Sequence, residues 1–185
     1  MINKVREETK KHMEKPLELF RHELSKLRTG RASTSILDDI RVEYYGTPTP
    51  LNQVATLSVP DPRTIAIQPW DTSVLGEIER AILKSDLGLN PVNDGRLVRL
   101  PIPPLNEERR KELVKLIKKY GEECKISVRN VRRDSMKKLE KMEGTSEITE
   151  DQLKKGEAEI QKLTDDFIKL VDETAAHKEK DMMEV

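Results

Sequence analysis

The side chains with the most suggestive spacing are basic residues in the stretch 106–142, NEERRKELVKLIKKYGEECKISVRNVRRDSMKKLEKM. Residues three or four positions apart lie on the same side of a helix, so their cationic heads gather along one face. The basic residues with this spacing are Lys125, Arg129, Arg132, Arg133 and Lys137. The pattern predicts a cationic helix face that could bind a polyanion.

The net charge of zero conceals a difference in charge between segments of the chain. The chain has 34 basic and 34 acidic side chains, yet residues 106–142 carry 13 basic against 7 acidic ones, and residues 143–185 carry 6 against 13. Each segment can be the counter-charge of the other, and charge alone favours this internal pairing over a surface for a polyanion. The charge pattern is compatible both with internal pairing and with a surface for a polyanion.

Few residues are arranged for catalysis. His12, His22 and His177 are scattered, without the HExxH spacing or the cysteine partners of a zinc site. No P-loop, GxGxxG or GxSxG motif is present. Cys124, the single cysteine, lies on an apolar seam, so no intrachain disulfide is possible. We therefore expect no enzyme activity, no metal and no cofactor.

Apolar residues at steps of three and four predict three long helices. The first covers residues 2–27 and contains Pro16; because the apolar steps stay in register through the proline, we expect one bent helix. The second covers residues 106–142 and would be about 55 Å long at about 1.5 Å per residue. The third begins at a capping box that opens with Thr149, and its apolar stripe fades after Thr174.

Residues 30–105 change to the alternation that is typical of strands. The segment GTPTP, residues 46–50, predicts a turn between the first two strands. A single helix follows, capped by Asp71 or Ser73. The segment is therefore predicted to be a small α/β unit, mostly β.

Together these segments predict an α+β protein of two domains. Residues 1–29 and 106–185 form an antiparallel three-helix bundle, into which the domain of residues 30–105 is inserted. The crossings at 29–33 and 101–106 contain a glycine and three prolines, so we expect a hinge of limited freedom.

Five separated motifs identify the chain as similar to the ribosome recycling factor family. The motifs occur in the order LRTGRAS (27–33), VEYYGTPTPL (42–51), SDLGLNP (85–91), PPLNEERRK (103–111) and VRNVRRD (128–134). The resemblance extends over the whole chain. The resemblance implies an L-shaped protein. It also implies a factor that binds the ribosome after termination and, with elongation factor G and GTP, separates the subunits without making or breaking a covalent bond.

The resemblance further implies which residues act. The bundle would lie against large-subunit ribosomal RNA, whose phosphates an arginine fork can hold with two hydrogen bonds. The predicted RNA-binding residues are Arg28, Arg31, Lys125, Arg129, Arg132 and Arg133. The predicted hinge residues are Thr29, Gly30, Arg31, Pro103, Pro104 and Leu105. Arg132 is expected opposite the apolar seam.

An alternative from another class stays open. Long charged helices can also form a protein-binding adaptor that pairs with other helices through seam residues such as Leu116 and has no ribosome activity. The sequence contains no run of 18 apolar residues, so no membrane span is predicted. Residues 1–11 resemble neither a secretory signal nor a transit peptide. We expect a monomer in the bacterial cytoplasm.

Overall fold

The computed structural model describes residues 1–183, which divide into two compact units. The first unit contains residues 1–24 and 111–181, and the second contains residues 25–110 together with residues 182–183 at the end of the described chain. The first is built of long helices and the second is mostly β, so the predicted two-domain α+β class is confirmed.

Helix α1, Ile2–Lys26, is continuous through Pro16. A proline inside a helix lacks the N–H that bonds the carbonyl four residues earlier, so the uninterrupted helix shows that packing outweighs the local loss. Its buried residues are spaced by three and four: Val5, Thr9, Met13, Leu17, Phe20 and Leu24. The thiol of Cys124 donates a hydrogen bond of 3.4 Å to the Pro16 carbonyl. The prediction of one helix is confirmed.

Helix α3, Glu107–Gly144, is the longest element. The side chain of Asn106 accepts a hydrogen bond of 2.7 Å from the Arg109 backbone N–H. Such a cap satisfies one of the N–H groups that lack a partner in the first turn. The predicted start of this helix is confirmed.

Helix α4, Glu150–Met183, starts at the predicted capping box. The Thr149 N–H donates to Gln152 Oε1 over 2.9 Å, and the Gln152 N–H donates to Thr149 Oγ1 over 3.3 Å. The helix continues to Met183, past Thr174 where the apolar stripe is predicted to fade, through residues that form helices well even without such a stripe. His177 Nδ1 lies 3.5 Å from a carboxylate oxygen of Asp181 there.

Small and polar residues connect α1, α3 and α4 into the predicted three-helix bundle. Gly121 of α3 packs against Phe20 of α1 and Val171 of α4, at 3.8 and 3.9 Å from its ideal Cβ position. Nearer the other end, the ideal Cβ position of Gly156 in α4 lies 3.0 Å from Leu139 and 3.5 Å from Ile2. These contacts place α1 and α4 parallel to each other and α3 antiparallel to both.

One buried polar contact adds to this packing. The Thr9 hydroxyl donates to the Val5 carbonyl over 2.7 Å, and it shares a second hydrogen bond of 2.7 Å with the Ser135 hydroxyl. Both hydroxyls are buried, so the α1–α3 contact leaves neither without a partner, as burial of polar groups requires.

The second unit contains a two-stranded hairpin, β1 (Arg41–Tyr44) with β2 (Thr47–Pro50), and a four-stranded antiparallel sheet. The sheet has the order β3-β4-β6-β5, and its strands are β3 (Ala55–Asp61), β4 (Thr64–Pro69), β5 (Val92–Asn93) and β6 (Val98–Pro101). Helix α2, Leu75–Lys84, buries Leu75, Ile78 and Ile82. The Asp71 side chain accepts from the Ser73 N–H over 2.9 Å, at the start of the 3-10 turn Thr72–Val74 that precedes α2.

The predicted turn at residues 46–50 is wrong. The turn is made by Tyr45 and Gly46, with φ of 48° and 80°, and Thr47–Pro50 is strand β2. Positive φ at both central residues suits a tight hairpin. Pro48 and Pro50 are two residues apart on a strand that pairs on one side only, where the missing N–H groups can face away from the partner.

Steric fit at Gly156 predicts the effect of a larger side chain. Gly156→Val should lower the free energy of unfolding by about 1–3 kcal/mol, because its Cβ would already lie 3.0 Å from a methyl of Leu139 and valine adds two methyls beyond that Cβ. Denaturant unfolding followed by circular dichroism measures this. Ala158→Val, at an exposed position of the same helix, should cost only about 0.5 kcal/mol. Equal losses for the two variants would contradict the packing argument.

Candidate nucleic-acid interface

Three basic residues form an exposed row on α3: Arg129, Arg133 and Lys137. They are four residues apart, so each is about 6 Å further along the helix than the last and on nearly the same side. Within residues 1–183, none of the three has a hydrogen bond or ion pair to a side chain. We call these three residues the basic row; its charges are available to an external anion.

Arg132 does not lie opposite the seam, and that prediction is wrong. It is half-buried, four residues after Val128 and three before Ser135, both of which are buried. Its Nη1 donates a hydrogen bond of 2.8 Å to Gln161 Oε1 on α4, and its Nε is buried without a partner among residues 1–183. Arg132 therefore borders the α3–α4 contact, beside the basic row.

Lys125 is occupied within the bundle. Its ammonium lies 2.5 Å from Asp172 on α4 and 3.2 Å from Glu122 on α3, and its side chain is 16% exposed. The hydrogen bond to Asp172 raises the pKa of this lysine, since it favours the charged form. At Lys125 the internal pairing between the basic and acidic segments is realised, and the structure removes this residue from the candidate interface.

The other predicted RNA-binding residues, Arg28 and Arg31, belong to the second unit. Arg28 is half-buried and Arg31 is exposed. The structure therefore does not bring all the predicted residues onto one body: Arg129, Arg132 and Arg133 lie together on the bundle, and these two lie outside it.

The predicted hinge segments also lie within the second unit. Thr29 and Gly30 are buried, and Gly30 has a φ of +80°, which favours glycine. Pro103 and Pro104 are exposed, and Leu105 is half-buried.

Both crossings are fastened to one turn of the sheet. The Ala32 N–H donates to the Pro62 carbonyl and the Ile102 N–H donates to the Arg63 carbonyl, each over 2.7 Å. These bonds hold the inner end of each crossing to the turn between β3 and β4.

The contact of Gln161 with Arg132 was not predicted from the sequence, and neither was the hydrogen bond that Gln161 makes to Asp165 one helical turn later. Gln161 Nε2 donates to Asp165 Oδ1 over 2.9 Å, so Arg132, Gln161 and Asp165 form one chain of hydrogen bonds. The spacing of four residues between Gln161 and Asp165 is visible in the sequence. Their contact with Arg132, which is 29 residues earlier than Gln161, depends on how α3 and α4 are rotated.

Two exposed aromatic residues of the second unit were also not predicted. Trp70 is 68% exposed and its indole N–H donates to Thr56 over 2.9 Å. Tyr45 is 80% exposed and its hydroxyl donates to Asp71 over 3.2 Å, whose charge raises the pKa of the tyrosine. Strand alternation does indicate that the side chains at positions 45 and 70 face outward. It does not show that each of them is held by a hydrogen bond to another side chain.

Residues 1–183 contain no group of three or more His, Cys, Asp or Glu side chains placed to hold a metal ion. In the same range, no helix has the length and apolar character needed to cross a membrane. Burial raises the pKa of the Cys124 thiol to about 11, which keeps it protonated at neutral pH.

The fold and the basic row define a two-domain α+β protein with a cationic surface on a helical bundle, suited to the backbone of a polyanion. A family model described as ribosome recycling factor matches residues 20–183. The chain belongs to the ribosome recycling factor family.

Curated relatives and solved structures agree with this assignment. The ribosome-recycling factor of Trichlorobacter lovleyi is 56% identical over 185 residues, which are 100% of both chains. That of Oleidesulfovibrio alaskensis is 55% identical over 178 residues, covering 96% of this chain and 97% of the relative.

A solution structure of the ribosome recycling factor has a TM-score of 0.82 and 42% identity, covering 100% of this chain and 98% of the other. A second structure, with a TM-score of 0.69 and 48% identity, covers 98% of each chain. It describes models for the T. thermophilus factor and E. coli elongation factor G bound to the E. coli post-termination complex.

The ion pairs of Lys125 predict a structural effect. Lys125→Met keeps the aliphatic stem and removes the ammonium, so the free energy of unfolding should fall by about 1 kcal/mol, as for a partly buried pair. Lys115→Met, at an exposed position of α3, should change it far less. Denaturant unfolding at neutral pH compares them.

The pH dependence of this effect has a definite sign. Because the pKa of Lys125 is raised above 10.5 in the folded chain, its contribution is complete below that pH. It is lost as the pH rises through the folded-state pKa. The difference between the natural chain and Lys125→Met should therefore stay constant around neutral pH and shrink above about pH 10.5. A difference that grows in that alkaline range would contradict the assignment.

Proposed function

We propose that this chain is a translation factor that recycles ribosomes after termination. It binds the post-termination complex and, with elongation factor G and GTP, separates the ribosomal subunits. The observation that carries the proposal is full-length similarity to ribosome-recycling factors, with 56% identity over all 185 residues to one of them. A structure 48% identical to the chain includes elongation factor G and the post-termination complex, which supports the same partners here.

The proposed RNA contact is the basic row together with Arg132. Basic residues that follow one another at about 6 Å along a helix axis can meet successive phosphates of a folded RNA without reading its bases. Arg28 and Arg31 are proposed as further contacts from the second unit.

The factor acts by binding and motion. We propose that it makes and breaks no covalent bond, and that it functions in the bacterial cytoplasm as a monomer. The bacterial origin of the relatives supports the compartment, and the protonated, buried Cys124 supports a structural function for the single thiol.

A hinge between the two units is also proposed. The hydrogen bonds of Ala32 and Ile102 tie both crossings to the turn between β3 and β4. Bending would therefore be confined to the residues on the helical side of these bonds, which include Thr29, Gly30, Arg31, Pro103, Pro104 and Leu105. Elongation factor G would move the second unit while the bundle stays on ribosomal RNA.

Binding to ribosomes tests the basic row. Arg133→Ala should weaken binding by about tenfold, because a hydrogen bond to a charged group contributes about 1.5 kcal/mol or more. The logarithmic slope of affinity against salt should fall by about 0.7 to 0.9, the amount expected for one phosphate contact. Co-sedimentation at several salt concentrations measures both.

Lys11→Ala provides the control. Lys11 is exposed on α1, and its replacement by alanine removes the same charge as Arg133→Ala. Equal weakening by Lys11→Ala and Arg133→Ala would show only a general charge effect and would contradict the basic row. A natural chain that does not sediment with ribosomes would favour the protein-binding adaptor instead.

Restricting the hinge should separate binding from subunit splitting. A reducible covalent cross-link between the two units is expected to leave ribosome co-sedimentation unchanged and to slow subunit splitting by elongation factor G and GTP. Reducing the cross-link should restore the rate. Splitting at the normal rate in the cross-linked chain would contradict the hinge.

A further inference from the structure

Arg132 is held by a neutral amide. Its Nη1 donates to Gln161 Oε1 over 2.8 Å, and Gln161 Nε2 donates to Asp165 Oδ1 over 2.9 Å. Of the five N–H bonds of the guanidinium, this contact uses one. The carboxylate of Asp165 is thus connected to the arginine through the glutamine and is not its direct partner.

Asp165 determines which way the Gln161 amide points. An amide has an accepting oxygen at one side and a donating NH₂ at the other. A carboxylate can accept only, so Asp165 selects the NH₂ side of Gln161 and leaves the oxygen toward Arg132. The opposite orientation would place the NH₂ group against the N–H donors of the guanidinium, where no hydrogen bond can form.

A comparison with Lys125 shows what the amide achieves. Lys125 is one heptad before Arg132 and also reaches α4, but it meets the carboxylates of Asp172 and Glu122 directly. Its positive charge is balanced inside the protein. Arg132 is held in place with no carboxylate of residues 1–183 in contact, so its charge stays available to an external anion.

We propose that Gln161, oriented by Asp165, is a positioning residue that holds the guanidinium of Arg132 for an RNA phosphate. This inference rests on the proposed function and deepens it. The bond at Nη1 and the burial of Nε fix the plane of the guanidinium at the edge of the bundle. The donors other than Nη1 and the buried Nε meet the phosphate without first losing the freedom of a long side chain, and such preorganisation increases affinity.

The side-chain Nε–H signal of Arg132 tests the positioning without the ribosome. In the natural chain this buried N–H should exchange with water more slowly than the Nε–H of exposed Arg129. Gln161→Ala and Asp165→Ala should each speed the exchange of Arg132, measured by nitrogen-15 NMR with the signal assigned through Arg132→Lys. Asp166→Ala is the matched control, because Asp166 is the adjacent exposed carboxylate and the charge change is identical. Unchanged exchange in Gln161→Ala would overturn the proposal.

Ribosome affinity then tests the consequence. Gln161→Ala should weaken co-sedimentation about tenfold in the natural background and have no further effect in Arg132→Ala, because the two residues act as a unit. Asp166→Ala should bind as the natural chain does, and melting temperatures measured alongside identify any loss of fold.

The possible failures are distinguishable. If the natural chain binds ribosomes and Gln161→Ala binds equally well, or weakens Arg132→Ala further by the same factor, the positioning is wrong and the proposed function stands. If the natural chain does not bind ribosomes, the proposed function fails, while the exchange measurement still decides whether Gln161 holds Arg132.

Discussion

The close approach of three long helices is the constraint on which the rest of the structure depends. At Gly156 a Cβ atom would lie 3.0 Å from Leu139, and at Gly121 both neighbouring helices come within 4 Å. Contacts this close fix how far each helix is rotated about its own axis, since packed interiors tolerate little change in volume. That rotation decides which α3 cations face α4 and which face solvent. The basic row is therefore a consequence of packing on the other side of the same helix.

Two kinds of cation result from that rotation. Lys125 reaches Asp172 and Glu122 and joins the helices together. Arg129 and Arg133 point outward and are exposed. Arg132 lies between these groups, attached to the bundle by Gln161 but without a direct carboxylate partner in the described part of the chain, residues 1–183. The zero net charge of the chain thus contains both internal pairs and an outward surface, and the two interpretations of the charge pattern each apply to different residues.

The sequence predicted what local chemistry determines. The caps at Asn106 and Thr149 follow from residues within a few positions of each other. The continuity of α1 through Pro16 was predicted from the regular steps of its apolar residues, which run unbroken on both sides of the proline. The contacts of Lys125 and Arg132 were not predicted, because they depend on the register between two helices. Residues 46–50 were misassigned because prolines usually mark a turn, whereas a hairpin strand paired on one side accepts them.

Light scattering of post-termination ribosomes tests the central claim most directly, because scattering falls when the subunits separate. The account predicts a fall that requires this protein, elongation factor G and GTP together, and that is lost with Arg132→Ala. A fall that Arg132→Ala produces equally well would contradict the arginine surface. No fall with the natural chain, although it co-sediments with the same ribosomes and the elongation factor comes from the same organism, would contradict the recycling function.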